Sequence, residues 1–137
     1  MLTEKGYCDY ETCVALKELG FREKCVAYYD TADNVGLLYN TQYTCDVIPC
    51  QYDDLLESRN SATEYEVDAP TLYDAQKWLR EEKGIIVGII DNFTIQAFDY
   101  YVSTWEEDRC RGNKYTSYED ALQRGIKEAV KILKEGE

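Results

Sequence analysis

The chain has 137 residues, 45% of them hydrophobic, with 27 acidic against 15 basic side chains and a formal net charge of −12. That length suits one domain with its own core, and the apolar share excludes a disordered chain. Bases are interleaved with acids, as in Arg80-Glu81-Glu82-Lys83 and Glu106-Glu107-Asp108-Arg109; this argues against direct nucleic-acid binding and against an anionic membrane surface.

A polar lead with Gly6 runs to Asp9, whose carboxylate suits an N-cap. Val14, Leu16 and Leu19, with Cys13 and Ala15, predict a short helix over 9–19. Gly20 supplies a left-handed stop, and Phe21 can fold back over the last turn. Lys24 to Asp30 is dense in β-favouring residues, the polar stretch from Asp30 to Asn34 is a turn, and Val35 to Asn40 reads as a second strand of the same antiparallel hairpin.

Residues 41–68 have the weakest pattern. Tyr43 to Ile48 alternates enough to continue the second strand up to Pro49. Gln51 to Arg59 fits a short helical turn, Asn60 to Thr63 a loop, and Glu64 to Val67 a short edge strand. So long a connection is uncommon in a compact domain; it is either a functional loop or a stretch whose structure the residue pattern does not reveal.

Pro70 holds Ala69 extended. Thr71 and Asp74 have the spacing of a capping pair, and Leu72, Ala75, Trp78 and Leu79 share one face of a helix over 71–83. After Gly84, Ile85 to Ile90 is apolar on both faces, as in a covered strand. Asp91-Asn92 is a turn dipeptide, and Thr94 to Thr104 alternates, with Ile95 and Ala97 on one face and Phe98, Tyr100 and Val102 on the other. Glu106 to Lys114 reads as a charged loop. Thr116 then caps a helix over 117–134, with Glu119 as its partner. Leu122, Ile126, Ala129, Val130 and Leu133 form its apolar stripe.

The start, MLTEKGYCDYETC, lacks the apolar stretch of a secretory signal, and no run approaches the length of a membrane helix. A soluble, intracellular protein is expected. The six cysteines have no zinc-knuckle spacing, and the chain has no histidine. They read as reduced, small apolar residues, with Cys45 and Cys50 the remaining disulfide candidate.

The lack of histidine removes Ser-His and Cys-His nucleophile pairs. The eight glycines form no phosphate loop, and Asp53-Asp54 and Glu106-Glu107-Asp108 read as solvated charge. No catalytic, cofactor-binding or metal-binding residue is indicated. Tyrosine is the more informative residue. In the adjacent pairs Tyr28-Tyr29 and Tyr100-Tyr101, one ring of each must face away from the other, and tyrosine is enriched at interfaces. Tyr28, Tyr29, Tyr43, Tyr52, Tyr100 and Tyr101 are therefore the candidate interaction surface, on the sheet face opposite Trp78 and in the 40–66 segment.

The runs APTLYDAQKWLREEKGI and YTSYEDALQRGIKEAVKIL, with ALKELGFREKCVAYYD near the start, resemble patterns of an uncharacterised family of small proteins carried by bacteriophages and prophages of gut Bacteroidetes. The resemblance covers most of the chain outside 40–66. It implies a mobile-element accessory protein and transfers no catalytic residue.

A single α+β domain over 1–137 is thus expected, with a small, mainly antiparallel sheet, the helices at about 71–83 and 117–134 on one face, and the 9–19 helix beside them. The leading functional expectation is a non-enzymatic accessory protein that binds a host or phage protein, or a second copy of itself. The alternatives are an acidic nucleic-acid mimic that blocks a DNA-binding host enzyme, and a small enzyme with carboxylate or thiol chemistry.

Overall fold

The computed structural model describes residues 6–30, 37–39 and 66–136. The expectations for the 31–34 turn, the 43–48 strand, the 51–59 helical turn, the 60–63 loop, the Cys45–Cys50 pair, Tyr43, Tyr52 and Asp53-Asp54 lie outside the described residues. The chain divides into two compact units, Met1–Thr71 and Leu72–Glu137.

The first unit opens with helix α1, Tyr10–Glu18. Asp9 caps it, its Oδ1 accepting from the Thr12 amide at 2.9 Å, which satisfies one of the amides a helix start leaves open. Cys8 precedes the cap and Cys13 lies one turn into the helix, the two positions of a hydrophobic staple; both are buried. At the other end Gly20 takes φ 104°. Its amide donates to the Lys17 carbonyl at 3.1 Å, and the Phe21 amide donates to Leu16 at 2.9 Å. This pair of bonds is a Schellman stop, and Phe21 is buried behind it.

Strands β1 (Ala27–Asp30), β2 (Leu38–Tyr39) and β3 (Glu66–Ala69) follow, in the antiparallel order β2-β1-β3. The expected hairpin is present, with Ala27 opposite Tyr39, and β3 is an edge strand with Ala27 opposite Ala69. α1 packs against β3, whose buried residues are Val67 and Ala69. The Cys8 amide donates to the Pro70 carbonyl at 3.1 Å and Tyr7 bridges Thr71, which closes the unit.

The second unit is helix α2 (Leu72–Lys83), strands β4 (Ile85–Asn92), β5 (Ala97–Thr104) and β6 (Asp108–Tyr115), and helix α3 (Tyr118–Glu135). The strands form an antiparallel meander, β4-β5-β6. α3 lies across all three strands, and α2 packs on β4 and α3. The core joins Leu72, Ala75 and Leu79 of α2, Ile85, Val87, Tyr100 and Val102 of the sheet, and Leu122, Ile126 and Ala129 of α3. Gly125 lets α3 approach so closely that a Cβ there would overlap Val87. The Gln76 side-chain amide donates to the Val87 carbonyl at 2.7 Å, which occupies an acceptor on the strand that edges this sheet.

The α+β reading holds, with four differences. The described strands form two three-stranded sheets instead of one, because β1 takes its neighbours on both sides from its own unit. The charged 106–114 stretch is largely strand. There Arg109 and Arg111 point to solvent while Cys110 and Gly112 face inward, half-buried. Charge on an edge strand discourages further pairing and does not prevent pairing with β5. The expected turn at Asp91-Asn92 is displaced to Phe93–Gln96, where Gln96 has φ 52°; β4 pairs right through, with Asn92 opposite Ala97. Finally, Ser117 caps α3 in place of Thr116, its Oγ accepting from the Asp120 amide at 3.1 Å.

Candidate functional site

Gly84, at φ 66°, turns the chain from α2 back along β4. The start of α2, the β4–β5 turn, the end of β6 and the start of α3 therefore gather at one end of the second unit. Aromatic rings mark this end. Tyr73 of α2 sits 6.3 Å from Tyr118 of α3, and Tyr118 meets Phe98 of β5 edge-on at 6.0 Å and 80°. Beyond Phe98 lies an open depression of about 370 Å³, lined by Asp91, Asn92, Phe93, Gln96, Ala97 and Phe98.

Much apolar surface is left in water here. Phe93 is 85% exposed, Tyr73 62% and Ile95 49%, while Ile90, 44% exposed, lies on the sheet face opposite Phe98. Single exposed apolar residues are ordinary, but several gathered at one end beside polar groups are a mark of a binding surface. Burial raises the Tyr118 phenol pKa above its ordinary value, and Tyr73, Asp91 and Glu119 add to the rise. The depression offers aromatic faces, two side-chain amides and one carboxylate, a set suited to recognition rather than bond-breaking.

The candidate tyrosines divide between the units. Tyr28 is half-buried on β1, opposite Leu38 and Asp68. Tyr29 is half-buried; its hydroxyl donates to the Cys8 carbonyl at 3.0 Å and its ring meets Tyr10 edge-on at 5.7 Å. Tyr101 is half-buried over Gly88. Tyr100 is only 5% exposed. It packs against Gly125 of α3, so this ring is core and not surface.

The residue pattern places Tyr73 in a helix, Phe98 on a strand face and Ile95 in an alternating strand, positions that share no motif along the chain. The usable signal was Phe93, a large apolar residue within a polar turn.

The four described thiols are free; Cys8, Cys13 and Cys25 are buried and Cys110 is half-buried. The Cys13 thiol donates to the Cys8 carbonyl at 3.5 Å. Its pKa is raised, first by the hydrogen bond with Cys8 and then by burial, which suppresses the reactive thiolate. Burial also raises the Cys110 thiol. Among the described residues, no group of three or more His, Cys, Asp or Glu could hold a metal ion, and no helix is long and apolar enough to cross a membrane.

Comparison with known proteins finds no matching family model, no matching curated protein and no matching solved structure.

Proposed function

We propose that this is an accessory protein of a phage or prophage that works in the bacterial cytoplasm by binding another protein. Its docking surface is the aromatic end of the second unit. The exposure of Phe93, at 85%, carries the reading: a folded chain gains little by displaying that ring unless something else covers it. The mimic alternative needs acids displayed without bases between them. On α2 the acids Asp74, Glu81 and Glu82 alternate with Lys77, Arg80 and Lys83, which favours protein binding. The raised Cys13 and Cys110 thiols likewise favour binding over thiol chemistry.

The test is affinity capture from a gut Bacteroidetes lysate with the wild-type chain, Phe93→Ser and Trp105→Ser. Trp105 is also exposed, at 79%, but lies in the β5–β6 turn. The expected result is one protein retained by wild type and Trp105→Ser and lost by Phe93→Ser. Phe93→Ser should leave stability within about 0.5 kcal/mol of wild type, as exposed substitutions do. Equal capture by all three chains, or by none, overturns the reading.

A further inference from the structure

The depression beside Phe93 has a composition that selects its occupant. Two phenylalanines, Phe93 and Phe98, supply flat apolar walls; Asn92 and Gln96 supply amides; Asp91 supplies the one charge. Asp91 is exposed at the end of β4, directly opposite Phe98 across the strand pair. Among the described residues, no lysine or arginine lines this space. An aromatic face attracts a cation through its quadrupole, and a carboxylate beside it adds direct attraction. Lysine and arginine pair an apolar stem with a charged head, so one side chain can lie along a ring and place its charge at Asp91. An acidic ligand would meet Asp91 and the overall charge of −12, and a purely apolar one would cover Asp91 and strip its water at a cost.

We propose that the depression formed by Asp91, Phe93 and Phe98 at the β4–β5 turn takes a lysine or arginine side chain from a basic segment of the partner polypeptide. This rests on the docking reading above and specifies the chemistry of the partner. The ring chain Phe98–Tyr118–Tyr73 extends the same surface toward α2, giving the segment's flanking residues an aromatic track. Asp91 acts here as a specificity residue: it chooses the cation, while the rings supply the contact area.

The test is an NMR titration of isotope-labelled chain at low salt with two peptides. One is Gly-Ser-Arg-Leu-Arg-Ser-Gly; the other carries citrulline, the neutral isostere, in place of both arginines. The arginine peptide should shift the amides of residues 91–98 saturably, and the citrulline peptide should not. Asp91→Asn should weaken the arginine peptide by about twofold to fivefold, the range of an exposed charge pair. Phe93→Ser should weaken it by about tenfold, as loss of an aromatic anchor does, and Trp105→Ser should leave it unchanged. Equal binding of both peptides at 91–98 overturns the basic occupant and leaves the docking surface standing. Shifts scattered over the acidic surface, unaltered by Asp91→Asn, also overturn it. If neither peptide shifts 91–98, the basic occupant falls. The docking reading falls with it only if capture from the lysate is also indifferent to Phe93→Ser.

Discussion

The ring of Tyr101 lies over Gly88, its antiparallel partner across β4 and β5, in the space a Cβ on residue 88 would take. One strand over, Tyr100 lies over Gly112 in the same way. The two pairs look equivalent but have different freedom. Tyr101 is half-buried, whereas Tyr100 is 5% exposed and enclosed by Gly125 of α3 and by Arg124. Gly88→Ala can be met by swinging a ring toward solvent and should cost about 1 kcal/mol or less, while Gly112→Ala forces a core ring to move and should cost about 2–3 kcal/mol. Urea denaturation of both variants measures the difference, and equal costs would contradict the burial of Tyr100.

Alkaline pH should destabilise the protein. Among the described residues, the thiols of Cys13 and Cys110 have folded-state pKa values above 9.0 and the phenols of Tyr100 and Tyr118 above 10.0. Each loses its proton more readily in the unfolded chain. The stability they contribute is therefore complete below the unfolded values and is lost as pH rises through the folded ones. The urea midpoint should hold steady from about pH 7 to 8 and fall above about pH 9. Cys13→Ala should remove part of the fall that starts near the thiol value, and Tyr100→Phe part of the fall above the phenol value.

Thiol labelling should follow burial. Cys8, Cys13 and Cys25 are 0%, 1% and 5% exposed, and Cys110 is half-buried on β6. Only the thiolate reacts, and only where the reagent can reach it. Among the four described thiols, iodoacetamide under native conditions should modify Cys110 first and slowly, with Cys8, Cys13 and Cys25 protected until urea is added. Peptide mapping by mass spectrometry reads the order. Native labelling of Cys8 or Cys13 ahead of Cys110 would contradict the buried staple at the start of α1.

The cap of α3 separates two neighbouring residues. Ser117 accepts from the Asp120 amide, while Thr116 is exposed outside the helix. Ser117→Ala should cost about 1 kcal/mol, and Thr116→Ala should be within about 0.5 kcal/mol of wild type. Thermal or urea unfolding of the two variants decides which residue caps the helix.

The sequence displayed the local structure well. Asp9, Gly20 and Phe21 mark both ends of α1 through bonds only a few residues long, and the Leu122–Ile126–Ala129–Val130 stripe specifies the buried face of α3. The candidate surface was much less legible. Tyr100 and Tyr101 share one pattern in the chain, yet one is core and the other lies on the opposite face of the sheet. Their alternation shows that they differ in direction; it does not show which direction carries the helices. Phe93 was hidden by an apparent turn at Asp91-Asn92, which pairing with Phe98 and Ala97 converts into strand.

From the residues alone came the α+β class, the three helices, the glycine stops of α1 and α2, and the apolar β4. Each depends on interactions within a few residues or on a periodicity visible along the chain. Tertiary structure decided the rest: that Asp108–Tyr115 pairs as a charged edge strand, that the strands divide into two sheets, and that Tyr73, Tyr118, Phe98 and Phe93 meet at one end. Those outcomes depend on which backbone groups find partners far along the chain, and on which rings remain in water once α2 and α3 have covered one face of β4–β6. Neither is encoded in any short stretch of residues.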